Sequence, residues 1–252
     1  MRLHPLLKPL PLPELHSARL NHLLGALPDV DFDVMARHLE PITLRLGESI
    51  YEPGCPLNHA IFPTTSIVSL HYVTESGASA ETAAVGNEGM VGLALFLGGD
   101  TTASSARVLV AGGAVRLSAG LLRQTFENVI PLRALLLRHA QSLIAQITLF
   151  AACNRHHTIE QQFCRWLLCA LDRLPSDDLV MTQELISQTL GVRRESITEV
   201  AVRLQQAGVI RYRRGHISVL ARAGLEHRAC ECYAAVKREQ GRLLAPTPGA
   251  KG

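Results

Sequence analysis

The chain has 252 residues, of which 47% are hydrophobic and 4% aromatic, so it can bury a substantial core built mainly from aliphatic side chains. Its most apolar stretch, residues 132–153, is interrupted by arginine, histidine and glutamine, which argues against a membrane span. The first fifteen residues contain four prolines and lack the continuous apolar segment of a secretory signal. Six cysteines in a chain this long and apolar favour a reducing compartment, so we expect a cytoplasmic protein.

The net charge of +3 is unevenly distributed along the chain. Residues 1–120 carry a net charge of −4, whereas the much shorter segment 180–222 carries +4. This asymmetry favours an anionic partner for the later segment, although a solvated basic face would give the same pattern.

The first half of the chain predicts short helices followed by many short strands. Residues 1–17 are interpreted as a flexible Pro/Leu arm, and the helical pattern that follows is split at Pro28-Asp29. From Ile42 apolar and polar residues alternate, as in a strand with one buried face. Glycine-rich turns then separate short β-type runs, which favours a sandwich or barrel over a parallel sheet with crossover helices. These runs are residues 60–62, 67–72, 107–110 and 115–117.

A long helix is predicted after about Ser118, because apolar residues recur at steps of three and four. Its stripe is typical of a helix that packs against its twin across a two-fold axis, but docking on its own domain would give the same pattern. A second helix, residues 158–173, ends in a turn-rich linker, residues 174–178. The predicted dimerisation residues are Leu132, Leu136, Leu143, Ile147 and Phe150.

Residues 181–204 have the pattern of a helix-turn-helix. Thr182 can cap a first helix, and Gly191 lies where a tight turn needs a residue that tolerates positive φ. The second helix begins with Arg193-Arg194, although acidic residues would suit the positive end of the helix dipole better. This placement costs at most about 1 kcal/mol, and such local conflicts are expected at functional sites. Arginines there can reach guanine O6/N7 or a phosphate in the major groove, and Glu195 can accept from cytosine N4.

A short hairpin with a basic tip follows, around Arg213-Arg214-Gly215-His216, and is typical of the wing of a winged helix. The alternative is a small α+β subdomain that carries arginines on its surface without binding DNA. The order of turn glycine, basic helix face and basic hairpin favours DNA binding. The predicted DNA-binding residues are Thr182, Gln183, Arg193, Arg194, Glu195, Ser196, Thr198, Glu199, Arg213 and Arg214.

These residues resemble the Crp/Fnr regulators over about residues 20–228. The resemblance rests on residues 44–54 (Leu-Arg-Leu-Gly-Glu-Ser-Ile-Tyr-Glu-Pro-Gly), on Gly89-Met-Val-Gly92, on the long helix and above all on residues 182–210. It implies an α+β chain with an N-terminal β jelly-roll sensor domain, a long dimerisation helix and a C-terminal winged helix-turn-helix. It also implies that Arg194 and Glu195 match the family's base-reading pair, while Glu199 stands where arginine is common.

The sensor departs from the cyclic-nucleotide-binding pattern of that family. Met90 stands where such members place the ribose-binding glutamate, and Ser104-Ser105 lacks the phosphate-binding arginine. Because both charged anchors are missing, we expect no tight cyclic-AMP binding, although Glu88 could substitute if the register slips. The candidate effector pocket comprises Gly89, Met90, Gly92, Ser104, Ser105 and Arg107.

No cofactor or metal site is predicted. Residues 1–54 lack the cysteine group of cluster-binding members, and isolated residues such as Cys55 and His59 indicate no haem site. Residues 153–164 carry Cys and His without the spacing of a recognised zinc site. Cys164 and Cys169 are interpreted as packed thiols, while Cys230-Glu-Cys232, expected in a C-terminal helix with no histidine beside it, is a hypothesis for redox sensing.

We therefore predict a non-enzymatic regulator that binds near-palindromic double-stranded DNA as a homodimer and contacts RNA polymerase. The alternatives are a cyclic-nucleotide- or redox-responsive signalling module whose winged helix contacts protein, and a cryptic enzyme for which no nucleophile–base pair is found. The effector is left unknown. The predicted division is an arm (1–17), a β-roll sensor (18–125), the dimerisation helix and the helix after it (126–174), a winged helix-turn-helix (175–228) and a C-terminal helix and tail (229–252).

Overall fold

The computed structural model describes residues 17–174 and 177–244, so most of the predicted arm and part of the predicted linker lie outside the described residues. Short helices lead into two β-sheets, and a long helix then connects the sheets to a small C-terminal domain. In chain order the elements are α1 (His22–Gly25), α2 (Asp29–Ala36), β1 (Glu40–Leu44), β2 (Ser49–Tyr51), β3 (His59–Pro63), β4 (Ile67–Val73), β5 (Ser79–Val85), α3 (Ala94–Leu97), β6 (Ser105–Val110), β7 (Gly112–Ser118), α4 (Ala119–Asn128), α5 (Ile130–His156), α6 (Ile159–Leu171), β8 (Asp178–Val180), α7 (Gln183–Leu190), α8 (Arg194–Gln206), β9 (Ile210–Arg213), β10 (His216–Val219), α9 (Arg222–Arg228) and α10 (Glu231–Leu244).

The N-terminal half is a sandwich of two antiparallel sheets. One sheet has the strand order β1-β7-β3 and the other β2-β6-β4-β5. Alternate side chains of both sheets point inward and fill the space between them with apolar groups, as expected for a sandwich. The inner cluster comprises Leu44, Ile61, Val68, Leu70, Ala83, Val85, Val91, Ala106, Val108, Ala114 and Leu143.

Strand β5 was missed by the sequence reasoning. Its sequence, Ser-Ala-Glu-Thr-Ala-Ala-Val, consists largely of small residues of low β-propensity, so nothing in it distinguishes a strand from a loop. The strand forms because β4 pairs with it from Val73↔Ser79 to Val68↔Val85. Long-range pairing therefore overrides the local preference.

Helix α5 packs against its own chain along most of its length. Leu132 and Leu136 are fully buried beneath α1, α2 and α4, and Leu143 joins the core between the sheets. Phe150 lies under the Arg165 guanidinium at 3.7 Å. Among the described residues, α5 is the one helix long and apolar enough to cross a membrane, but 44% of its most apolar window is buried in the fold.

The assignment of dimerisation to this buried stripe is therefore corrected. Four of the five predicted dimerisation residues, Leu132, Leu136, Leu143 and Phe150, are at most 5% exposed within one chain and cannot also face a partner. The large apolar residues of α5 that remain exposed are Ile130, Leu137, Ile144 and Ile147. Sequence periodicity locates an apolar face but does not say which neighbour covers it.

The C-terminal domain is a winged helix. Helices α7 and α8 pack on α6 around Ile186, Ile197 and Leu204, and β8, β10 and β9 form a three-stranded sheet beside them. The predicted hairpin pairs Ile210↔Val219 and turns through Arg214 and Gly215, both with positive φ. Helix α10 then packs along α5, so the last of the described residues lie on the long helix.

Candidate nucleic-acid interface

The helix-turn-helix is built from the residues that the sequence indicated. Thr182 caps α7, its hydroxyl accepting from the Leu185 amide at 3.2 Å. Gly191 ends α7 at φ 66° and ψ 32°, the left-handed conformation predicted for the turn. Helix α8 follows with Arg193 at its N-cap and Arg194 as its first residue. Both arginines are exposed, so their charges are free to meet an anionic partner at the positive end of the helix.

A concave surface lies at the start of α8. It has a volume of about 300 Å³ and is lined by Thr182, Gln183, Arg194, Tyr212 and Arg214, with Gly215. Residues from the cap of α7, the start of α8 and the wing thus converge, although they are up to 33 positions apart in the chain. Four of them were predicted from sequence as DNA-binding residues.

Tyr212 also lines this concavity, although the sequence predicted it only as a residue of the hairpin. Its hydroxyl donates to the Met181 carbonyl at 2.9 Å, and its amide donates to Gln205 at 2.9 Å. Burial raises the pKa of Tyr212 to about 12, so the hydroxyl remains a neutral donor. The sequence feature that could have indicated this role is strand periodicity: Tyr212 lies two residues after the buried Ile210 and therefore on the same face of β9.

The other predicted contact residues lie on the outer face of α8 and on the wing. Thr198 donates its hydroxyl to Gln183 Oε1 at 2.9 Å, which fixes the Gln183 side chain between the two helices. Ser196 is half-buried, and the inner face of α8 includes Val200, which the sequence reasoning left out. The exposed members are Arg193, Glu195, Thr198, Glu199 and Arg213.

The six candidate effector residues do not share one cavity. Met90 is fully buried, and its backbone amide bonds to Nε2 of His139 from α5 at 3.0 Å. Ser105 and Arg107 instead face outward from β6 and line a cavity of about 310 Å³ between this sheet and α7. The inner faces of the sheets are occupied by apolar side chains, so the space between them is a packed core and offers none of the charged or polar partners that the sequence placed there.

Glu88 is committed to a structural ion pair. One of its carboxylate oxygens accepts from Arg173 Nε at 2.7 Å and the other from the Gly86 amide at 3.0 Å. Both side chains are largely buried, at 14% and 6% exposure. The idea that Glu88 replaces the ribose-binding glutamate therefore fails, because its carboxylate already ties the β-roll to the end of α6.

Four donor side chains that the sequence treated separately lie together at the end of α5. Cys153 Sγ is 3.5 Å from Cys230 Sγ, and Cys232 Sγ is 3.7 Å from His157 Nδ1. The view that Cys230 and Cys232 have no histidine near them is therefore wrong. The hydrogen bond between them lowers the pKa of Cys230 and raises that of Cys153. Cys164 and Cys169 are packed thiols whose pKa values are raised by burial, as expected.

The fold and this surface together define a chain with the architecture of Crp/Fnr-type transcriptional regulators. Three solved structures illustrate the likeness. The FixK2 protein of Bradyrhizobium japonicum has a TM-score of 0.66 at 15% identity, with 76% of this chain and 98% of that chain covered. The c-di-GMP-responsive global regulator CLP of Xanthomonas campestris gives 0.59 at 16% identity, covering 76% and 99%. A CRP/FNR family regulator of Thermus thermophilus gives 0.58 at 22% identity, covering 75% and 98%.

The sequence itself identifies the C-terminal part. Residues 161–228 match the family model of the Crp-like helix-turn-helix domain, so this segment is a Crp-like helix-turn-helix domain. A comparison with curated protein sequences finds no match. The predicted α+β fold, with a sheet-rich N-terminal domain, a long helix and a C-terminal helix-turn-helix, is confirmed.

Proposed function

We propose that the protein is a cytoplasmic, homodimeric transcription regulator that binds near-palindromic double-stranded DNA through α8 and acts without catalysis. The observation that carries the proposal is the concavity at the start of α8, where Arg194 and Arg214 meet the polar side chains of Thr182 and Gln183. This concavity lies on a Crp-like helix-turn-helix. The DNA major groove and its flanking phosphates therefore match the shape and the charge of the surface. RNA polymerase is the expected protein partner of a regulator bound in this way.

The residues divide into two roles in this proposal. Arg194 and Glu195 in the first turn of α8 read base edges, the arginine through guanine O6/N7 and the glutamate through cytosine N4. Thr182, Gln183, Arg213 and Arg214 contact phosphates on either side and set the register of the helix in the groove.

Selection of bound genomic DNA by the purified protein at two salt concentrations tests sequence-specific binding. We expect enrichment of a near-palindromic motif and a steep loss of affinity as salt rises, because phosphate contacts release counterions. Sequence-independent binding, or affinity indifferent to salt, would contradict the proposal and favour a winged helix that contacts protein.

Arg194→Ala separates base reading from phosphate contact. We expect a loss of about 1–3 kcal/mol of discrimination at one base pair of each half-site, measured by fluorescence anisotropy on a panel of single-base variants. Arg37→Ala is the matched control. Arg37 is exposed and directly follows α2, so its replacement removes the same charge at a position far along the chain from the helix-turn-helix. Uniform weakening across all sequences would reassign Arg194 to phosphate.

The proposed dimer uses the exposed apolar stripe of α5. Ile130, Leu137 and Ile144 are seven residues apart and are 47–67% exposed, and Ile147 adds a further apolar group. A seven-residue repeat keeps one face toward a partner helix, so two copies of α5 can pair about a two-fold axis. Such a pair would place the two α8 helices to reach successive major grooves, about 34–36 Å apart.

Ile144→Glu tests this interface. A charge placed in an apolar helix seam disfavours association, so we expect a monomer at micromolar concentration by analytical ultracentrifugation, with far-UV circular dichroism unchanged. Val30→Glu is the matched control, because Val30 is 78% exposed on α2. A dimer that survives Ile144→Glu would show that another surface pairs the chains.

Cyclic AMP is not the proposed effector. The anchor position holds Met90, which is fully buried, and Glu88 is already paired with Arg173. The space between the sheets is filled by apolar side chains that offer a phosphate no partner.

A further inference from the structure

Three segments bring thiol and imidazole ligands to one point. Cys153 lies in the last turn of α5, and His157, four residues later, caps the same helix, so the two side chains share a face. Cys230 precedes α10 and Cys232 lies in its first turn. The ligand atoms of all four residues lie within 4.8 Å of one another.

We propose that Cys153, His157, Cys230 and Cys232 form a structural zinc site that fastens the end of the winged-helix domain to the end of the long helix. The site would take one thiophilic divalent cation, with three sulfur ligands and one nitrogen ligand. Three thiols and a neutral imidazole bind Zn²⁺ with release of three protons, giving a complex of net charge −1.

The distances match tetrahedral zinc coordination. Zn–S bonds of about 2.3 Å and Zn–N bonds of about 2.0–2.1 Å place two sulfurs about 3.8 Å apart and a sulfur and nitrogen about 3.6 Å apart. The observed Cys153–Cys230 separation is 3.5 Å and the Cys232–His157 separation is 3.7 Å. The remaining pairs, all within 4.8 Å, need to close by at most about 1.2 Å to reach the same geometry.

The histidine is oriented as zinc ligands are. His157 Nδ1 points toward the sulfur atoms, while Nε2 lies 3.2 Å from a carboxylate oxygen of Glu231. A carboxylate that accepts from one ring nitrogen leaves a lone pair on the other, and this pairing is typical of metal-binding histidines. Glu231 stands between the two cysteines in sequence, so the same short segment supplies two ligands and the residue that orients a third.

The surroundings suit a closed site with a negative charge. The three cysteines are at most 5% exposed and form a buried cluster of their own, whereas His157 is partly accessible. The buried Arg165 guanidinium interacts electrostatically with Cys153. Its Nε and Nη1 atoms have no hydrogen-bond partner within residues 17–174 and 177–244, so the negative charge of a metal–thiolate complex would add to the stabilisation that the Phe150 ring and Glu81 give this buried cation.

The experiment is a measurement of metal content in full-length protein purified from zinc-supplemented medium without chelator. We expect about one zinc per chain by inductively coupled plasma mass spectrometry, falling to near zero in Cys232→Ser and His157→Ala. His156→Ala and Cys55→Ser are the matched controls, since both residues are exposed and neither belongs to the cluster; they should retain the metal. Circular dichroism verifies that each variant is folded.

Cobalt provides a second readout that does not depend on any variant. The wild-type protein stripped of zinc and loaded with Co²⁺ should show thiolate-to-cobalt charge-transfer absorption and the visible bands of a tetrahedral site. A metal-free protein with six titratable thiols, or one whose Cys153 and Cys230 have joined in a disulfide, would overturn the proposal. Equal loss of zinc from His156→Ala and His157→Ala would overturn it too, by indicating surface binding. None of these readouts uses DNA, so the outcome is independent of the proposed regulatory function.

Discussion

Arg173 connects the β-roll to the helix that leads into the winged helix, and Arg173→Met tests how strongly that connection holds the fold. Its guanidinium donates to Glu88 at 2.7 Å, to the Cys169 carbonyl at 2.9 Å and to the Ala84 carbonyl at 3.1 Å. The side chain is 6% exposed. Methionine keeps much of the length and packing but removes the charge and all three hydrogen bonds.

The expected cost follows from what is left behind. Glu88, 14% exposed, would keep a charge with one remaining amide donor, from Gly86, and the Ala84 carbonyl would lose this donor. Removing one partner of a buried ion pair costs about 3–5 kcal/mol. With a urea m-value of about 3 kcal/mol/M for a chain of this size, the unfolding midpoint should fall by about 1–1.7 M.

Urea unfolding can be followed through the fluorescence of Trp166, the only tryptophan, which is buried in α6. Arg37→Met is the control for loss of an exposed arginine and should stay within about 0.5 kcal/mol of wild type. The double variant Arg173→Met/Glu88→Gln should lose less unfolding free energy than the sum of the two single variants. When both partners are replaced, neither leaves an unpaired charge behind. A midpoint unchanged by Arg173→Met, or strictly additive effects, would refute the reasoning.

Two further predictions concern the buried residues Glu81 and Gly89, which lie close to Glu88 in the chain. Burial raises the pKa of Glu81 to about 7, against the hydrogen bond from Ser69 and the charges of Arg165 and Arg173. Because the folded pKa lies above the unfolded one, the stability that neutral Glu81 contributes is present below about pH 4.5 and is lost as pH rises through about 7. Glu81→Gln should abolish that part of the dependence, about 3 kcal/mol between pH 4.5 and 8 in chemical denaturation; an unaltered pH profile would show that Glu81 is ionised throughout. Gly89→Ala places a Cβ on the ring of buried His139 and should lower stability by about 1–3 kcal/mol in the same assay, whereas a neutral effect would mean that the ring moves freely.

Local chemistry made much of the DNA-binding segment predictable from sequence. Thr182 as a cap, Gly191 as a left-handed turn residue and the hairpin around Gly215 all depend on residues close to one another in the chain. The exposed face of α8 followed equally from helical periodicity. The same short-range rules missed β5, whose small residues become a strand only when β4 pairs with them.

What the sequence determined by itself is the set of elements and the apolar or polar character of each face, because dihedral preferences and side-chain periods act within a few residues. Tertiary structure decided which faces meet. It buried Leu136 against the chain's own core and left Ile144 free, turned Arg107 away from the β-roll interior, and paired Glu88 with a residue 85 positions away. It also brought His157 to Cys232, 75 residues apart, a proximity that no spacing could reveal because the path of the intervening chain sets it.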